Sequence, residues 1–415
     1  MTLRTRAGRR LGITDPAPAL SWTLPEPATG YQVQCALDAA FASPIADTGE
    51  CTGTPPWVPW PADPLVSRQC VHWRVRLKTA DGWGPWRQDW VEAGLLSDAD
   101  WLGAPLGVDD DSCAPLLSRE FSLPSAPVRA RLYATAYGLH DSRLNGSAVS
   151  DHLLEPGWTT YETWLPYSTY DVTDLLQAGV NELTALLGNG WWRGRVVTLH
   201  RSEPYGPSLA YLAQLEVECA DGSVHCLHTS DGGWTAVRTT TTDDLYVGSA
   251  VSLTSSSIPV EPVALERPCA SLLAPCAPPV RQTSTLPVVS LGGGLYDVGQ
   301  NVVGWLRVRV RCEAPCEVVL RHAEVLLDGV LATGPLRSAQ ATDRWQLPAG
   351  EHELTPTFTF HGFRYAQVET TAEVLSVVAV VVGSDLTPTA DFACSSEALE
   401  RLHENTVWSM RGNFL

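Results

Sequence analysis

The carboxylates that invite a chemical reading come late in the chain. Glu324 lies in His322-Ala323-Glu324, at the end of an alternating segment, with Asp328 close by; Asp343 follows in Ala341-Thr342-Asp343. A single carboxylate can give or take a proton. Acid–base cleavage of a bond, however, needs a second group in the opposite role. Glu324 is therefore read as a hydrogen-bonding brace toward a neighbouring domain, and Asp343 with Arg364 as a structural ion pair or as contacts to that same domain. Gly292-Gly293-Gly294 is a loop rather than a phosphate cradle, since no helix and no Lys-Ser/Thr follow it. No G-x-S-x-G elbow occurs. What stands out instead is aromatic: 16 Trp against 7 Phe. Indole faces stack on the apolar faces of sugar rings, although most of these tryptophans are expected in cores.

At 415 residues the chain is too long for one core and calls for two to four domains. Its net charge of −18 repels phosphate backbones and anionic lipid, so neither nucleic acid nor a membrane surface is an expected partner. A neutral ligand is compatible with that surface. The 11 cysteines are scattered without a C-x-x-C pair, which argues against a zinc site. Cys312 and Cys316 flank a turn that brings them near one another. The basic N-terminus runs into Asp15, Pro16 and Pro18, which break any apolar leader, so a cytoplasmic location with free thiols is expected.

The elements that must position these residues are mostly strands. Val71, Trp73, Val75 and Leu77 alternate on one face, and Asp81-Gly82-Trp83-Gly84-Pro85-Trp86 turns into a last strand. Residues 128–137, 181–187 and 210–219 read as further strands, and Asp221-Gly222 as a hairpin turn. Tyr170-Asp171-Val172-Thr173-Asp174 reads as a strand end followed by one helical turn. The prolines between 262 and 287 mark a connection with an edge strand. Alternation returns through 306–310 and 317–321, and Val377–Val382 is short enough for a buried strand. One helix follows Ser395-Ser396, capped by serine, with Leu399, Leu402, Thr406 and Met410 at helical spacing.

Several motifs, in order, carry a resemblance. They are Leu144-Asn145-Gly146, Pro156-Gly157-Trp158-Thr159-Thr160-Tyr161, Tyr170 to Leu176, and Leu187-Gly188-Asn189-Gly190-Trp191-Trp192-Arg193-Gly194. Tyr296-Asp297-Val298-Gly299-Gln300-Asn301, Gly304-Trp305, His322 to Leu326 and Phe358 to Tyr365 continue the series. The whole resembles the N-terminal part of bacterial α-L-rhamnosidases of the glycoside hydrolase family 78 type. The fold it implies is all-β: tandem β-sandwiches plus one C-terminal helix. A fibronectin III- or immunoglobulin-like sandwich is expected over 1–96 and a jelly-roll, carbohydrate-binding-like domain over 97–266. A second β-sandwich follows over 267–384, then a linker and the first helix of an (α/α)6 barrel over 385–415.

The resemblance implies hydrolysis of terminal α-L-rhamnosides with inversion, by an acid and a base that the family places on the barrel, downstream of Leu415. No catalytic residue is assigned here, and the chain alone is expected to be inactive. Rhamnose-containing glycans or glycosides are the implied partners, together with a separately encoded catalytic barrel. The alternative is a stand-alone, calcium-dependent rhamnose-binding protein. For that role the resemblance points to Asp141, Trp158, Trp164 and Trp191 for sugar and to Asp141 and Asn189 for calcium, with Asn145, Asp151 and Trp192 as neighbouring candidates. Each has a structural alternative: Asn145-Gly146 as a hairpin turn, Asp151 as a turn cap, Trp158 as core.

Overall fold

The structure is a computed structural model that describes residues 1–6, 8–24, 27–196, 202–267 and 271–415. Pro268 and Cys269, part of the proline-rich connection, lie outside the described residues. The first sandwich is built around Cys70–Thr79, which pairs with Gly30–Ala36 on one side and Arg87–Ala93 on the other. The alternation read from sequence is realised: Val71, Trp73, Val75 and Leu77 are all buried, with Val33, Val91 and Trp60 packed against them. On the opposite face Arg74 lies over Phe41 and Trp86, and Arg76 over Trp83 and Trp86. Guanidinium groups therefore cover the two tryptophans of the 81–86 turn.

Two sheets face one another in the second domain. One runs in the order Ser168–Asp171, Pro127–Tyr137, Ala210–Cys219, Leu106–Val108, Pro262–Ala264. The other runs Ser147–Ala148, Leu139–Leu144, Gly179–Gly188, Pro115–Leu123, Thr235–Arg238, Ile258–Val260. Turn chemistry sets the hairpins. Asn145 and Gly146 take φ of 51° and 80° between paired strands, the left-handed pair that a two-residue connection demands. The helical turn after Tyr170 is a 3-10 turn, Thr173–Leu175.

The third sandwich is organised by the 18-residue strand Leu295–Cys312, which pairs with His361–Thr370 and then with Glu373–Ser384. Its ladder with His361–Thr370 slips between Asp297 and Val302, where Gly299-Gln300-Asn301 bulges out. Gly304 has φ 148°, and a Cβ there would sit 1.9 Å from the Val380 carbonyl oxygen, so the two strands close only on glycine. Val280–Pro287 is the edge strand expected of the proline-rich connection. One boundary is shared rather than clean. Thr241–Asp244 and Gly248–Ser252, from within the second segment, join the third sheet through the parallel pair Ala250 with Arg344.

The domains grip one another through buried charge. Glu92, at the end of the first sandwich, accepts from Arg129 and Arg131 on the second and is almost wholly buried. Arg68 likewise reaches across to Glu216 and Asp100. Removing Glu92 takes away the buried partner that both arginines share and leaves them only the more exposed Asp171 and Glu218, so about 3–5 kcal/mol is the upper bound of the cost. Between the second and third domains the lock is Asp343. Its carboxylate accepts from the Ser249 backbone N–H at 2.9 Å and lies 2.9 Å from His361 Nε2. Arg364 instead pairs with Asp297, so the expected Asp343–Arg364 pair does not form. The ladder explains it: Asp297 lies opposite Tyr365, beside Arg364.

The terminal helix spans Glu397–Arg411. Ser396 stands at its N-cap without a side-chain cap bond; the carboxylate of Glu400 accepts from the Cys394 N–H instead. Trp408 packs on the third core, Leu415 on the cluster of Trp305, Val380 and Val382, and the Phe414 carbonyl accepts from the Ser384 N–H. Leu399, Leu402 and Met410 remain exposed.

Two outcomes follow from this packing. His322 stacks on His361 at 4.4 Å in the dry interior, and burial, reinforced by His361, pushes its pKa down from 6.5 to about 3. The unfolded chain then takes up that proton before the folded one does. Stability should therefore fall as pH drops from about 6.5 toward 3, and thermal melts of His322→Gln should show a flatter acid limb. An unchanged limb would remove His322 as the cause. Leu399→Gln with Leu402→Gln should change stability by less than ~0.5 kcal/mol while reducing self-association in sedimentation velocity. A larger loss of stability would mean that this face is packed.

Candidate functional site

The strand Gly179–Gly188 ends in a single helical turn, Gly190–Arg193. Gly190 has φ 49°, and a Cβ there would meet the Leu139 side chain at 2.5 Å, so the chain reverses tightly against the core. Consecutive indoles are thereby sent into different surroundings. Trp192 is buried, donates from Nε1 to the Ser208 carbonyl oxygen and packs on Tyr137, Tyr161 and Tyr205. Trp191 is half-buried and lies parallel to Trp158, with ring centroids 6.3 Å apart and planes 4° apart. Trp158 donates from Nε1 to the Tyr205 hydroxyl at 3.1 Å and keeps 49% of its surface exposed. An aromatic cluster thus begins in the core and ends in one open indole whose orientation is fixed at two points.

Trp164 lies on Trp164–Pro166, which pairs in parallel with Ser271–Leu273; its carbonyl accepts from the Thr159 hydroxyl, next to Trp158, but its ring is not part of the Trp158–Trp191 stack. Asp141 sits on Leu139–Leu144 and is held by Arg143 at 2.9 Å. Asn189 precedes the helical turn: its amide donates to the Asp243 carbonyl oxygen and its Oδ1 accepts from Arg193 Nε. Asp141 and Asn189 thus have separate partners, neither of which is the other. Asn145 spans its turn to Asn181 and Glu182, and Asp151 pairs with Arg281. Sequence reasoning passed over Asp243, which is buried, accepts the Asn189 N–H, and has its carboxyl raised to about 7 by burial. It also missed Glu155. Burial would raise that carboxyl, but His152, with His140 and Ser168, holds it down to about 2. Neither residue carries a sequence signal beyond its type.

The late carboxylates are committed as well. Glu324 accepts from Asn301 Nδ2 at 2.8 Å on the rim of a cleft of about 500 Å³ beside Asn405, Trp408 and Asn413. Asp328 forms the turn of a short hairpin with Gly329. Asp343 belongs to the His361 lock. Of His, Cys, Asp and Glu side chains, His322, Asp343 and His361 are the one group among the described residues close enough to share a metal. Their polar atoms already bond the Ala341 carbonyl, the Ser249 N–H and each other, which makes them a structural lock.

Residues 4–97 match the Rha78A-like N-terminal immunoglobulin domain, and 125–257 the alpha-L-rhamnosidase N-terminal domain. Residues 289–383 match the bacterial alpha-L-rhamnosidase concanavalin-like domain. An alpha-L-rhamnosidase of Streptomyces avermitilis is 38% identical over 366 residues, covering 81% of this chain and 35% of that protein. One from Formosa agariphila is 31% identical over 458 residues, covering 97% of this chain and 49% of that protein. The structure of the Aspergillus terreus enzyme superposes with a TM-score of 0.89 at 32% identity, over 100% of this chain and 52% of that one. The Streptomyces avermitilis enzyme, solved in complex with L-rhamnose, gives 0.89 at 26% identity, over 100% and 60%. This chain spans half or less of the length of these curated relatives. It belongs to the bacterial α-L-rhamnosidase family, of which it carries three N-terminal β-domains.

Proposed function

We propose that this chain supplies the non-catalytic β-domains of an α-L-rhamnosidase and holds rhamnose-bearing carbohydrate on the Trp158–Trp191 stack. The observation that carries the reading is Trp158. It is a half-exposed indole, braced by Trp191 and Tyr205, within the segment that matches the rhamnosidase N-terminal domain. A deoxyhexose offers C–H faces and a methyl group that stack on such a ring, and a chain of charge −18 does not repel a neutral sugar. Hydrolysis with inversion needs an acid and a base about 6.5–9.5 Å apart. Glu324 and Asp343 are bound to Asn301 and to His361, which supports assigning that pair to an (α/α)6 barrel outside residues 1–415. The barrel would lie in the same polypeptide or be separately encoded.

The calcium that the resemblance implies fits this chain poorly. Calcium takes six to eight oxygen ligands. Asp141 would have to leave Arg143, and Asn189 would have to leave Asp243 and Arg193. Recognition by stacking needs no such exchange.

A monosaccharide on one aromatic platform makes few contacts, so affinity should be micromolar to millimolar, roughly 4–8 kcal/mol. Titration calorimetry with L-rhamnose should show heat that Trp158→Ala abolishes and that Asp141→Ala and EDTA leave in place. Heat lost in EDTA would transfer the binding to a metal site, and heat retained in Trp158→Ala would dismiss the platform. On an aryl α-L-rhamnoside the chain by itself should give no turnover above buffer. Turnover that survives purification and vanishes in Glu324→Gln would place the acid on the third sandwich.

A further inference from the structure

At the far end of the long strand, Cys312 closes Leu295–Cys312 and Cys316 opens Cys316–Ala323, with the exposed turn Glu313-Ala314-Pro315 between them. Their sulfurs lie 2.8 Å apart. That is longer than the covalent S–S distance of about 2.05 Å yet closer than two unbonded sulfurs ordinarily settle. No other sulfur–sulfur contact is present among the described cysteines. Neither residue is free to swing away. The backbone of Cys312 is fixed by its ladder to Gly350, and that of Cys316 by its ladder to Leu347, where two consecutive strands start and end. The two ladders therefore hold the backbones of this thiol pair close together.

We infer that Cys312 and Cys316 are an oxidation site that closes into a disulfide by exchange with a low-molecular-weight disulfide such as oxidised glutathione. Access differs between the two sulfurs. Cys316 is partly exposed, whereas Cys312 is buried, and burial together with the neighbouring sulfur raises the Cys312 thiol above its ordinary range. Exchange therefore starts at Cys316. Its thiolate attacks one sulfur of the oxidant, expelling a glutathione thiolate and leaving a mixed disulfide. Cys312 then gives up its proton and attacks the Cys316 sulfur, expelling the second glutathione. Two protein thiols lose two protons and two electrons, and one glutathione disulfide becomes two thiols. The product clasps the turn at the end of the third sandwich remote from Gly304 along the same strand. It is independent of the Trp158 platform.

Trypsin provides a direct readout, since cleavage after Arg311 and Arg321 releases both cysteines in one peptide that contains no other. The full chain is equilibrated with a glutathione buffer, alkylated, digested and weighed. The expected result is a peptide lighter by two hydrogen atoms that takes no alkyl group until it is reduced. In Cys312→Ser the Cys316–glutathione mixed disulfide should accumulate several-fold over the native chain, because its resolving thiol is gone. A doubly alkylated native peptide, or a mixed disulfide that persists equally in both chains, would overturn the inference.

Discussion

A carboxylate without access to water must be matched by donors, or it loses its charge. Asp343 is in that position. Burial alone would raise its pKa, but His361, with His322 and the Ser249 N–H, holds it below the ordinary carboxylate range. All three sit on one sheet. His322 and His361 are strand residues of the third sandwich, and Ser249 lies on a strand that pairs in parallel with the one carrying Asp343. The charge is therefore held chiefly by the two histidines within the third sandwich. The Ser249 N–H adds to them and ties the hairpin 241–252, which comes from the second segment of the chain, to the same buried carboxylate. Taking away its donors would strand a buried charge, a cost set by desolvation rather than by contact area.

The aromatic platform is tied to the same junction. Phe358 packs with Leu139 and Leu154 of the second domain, and a Cβ on Gly188 would lie 2.4 Å from its ring. Gly188 immediately precedes Asn189, whose backbone and amide are held by Asp243 on the crossing strand. Two residues further on is Trp191, which packs against that Phe358 cluster and stacks on Trp158. The exposed indole is thus oriented by the interface as much as by its own domain. The orientation of Trp158 therefore follows the arrangement of the second and third sandwiches.

What the sequence shows and what it conceals divide along the range of the interaction. Local rules hold: alternation puts Val71, Trp73, Val75 and Leu77 inside, and Asn145-Gly146 and Asp221-Gly222 make hairpins. The order of motifs is also legible, because motif residues such as Gly304 and Trp305 are fixed by tight packing. Register is not legible. Asp343 and Arg364 look complementary in sequence, yet the ladders give Arg364 to Asp297 and Asp343 to a histidine. Thr241-Thr242-Asp243-Asp244 has the composition of a loop but is a strand, paired antiparallel with Gly248–Ser252, which in turn runs parallel to Thr342–Leu347 about a hundred residues away. Trp158, Trp164 and Trp191 are equivalent as residue types. Only Trp158 and Trp191 meet, because Gly190 turns the chain back and Tyr205 anchors the partner indole.

Commitment of side chains also separates structural from ligand-facing chemistry. Among the polar residues singled out by type, Asp141, Asn189, Glu324 and Asp343 each have a protein partner at hydrogen-bond distance. To bind a ligand through one of them, the chain would have to break a bond and leave that partner unsatisfied, which costs about 1–3 kcal/mol when the group is buried. The tryptophans of the 81–86 turn are likewise engaged by arginines. Trp158 differs, because its N–H is satisfied by Tyr205 and one side of its ring by Trp191 while the rest stays in water. Covering that surface gains apolar burial and breaks nothing. Buried ion pairs and the Phe358 cluster together join these sandwiches, and the outer face of Trp158 is the aromatic surface they leave uncommitted.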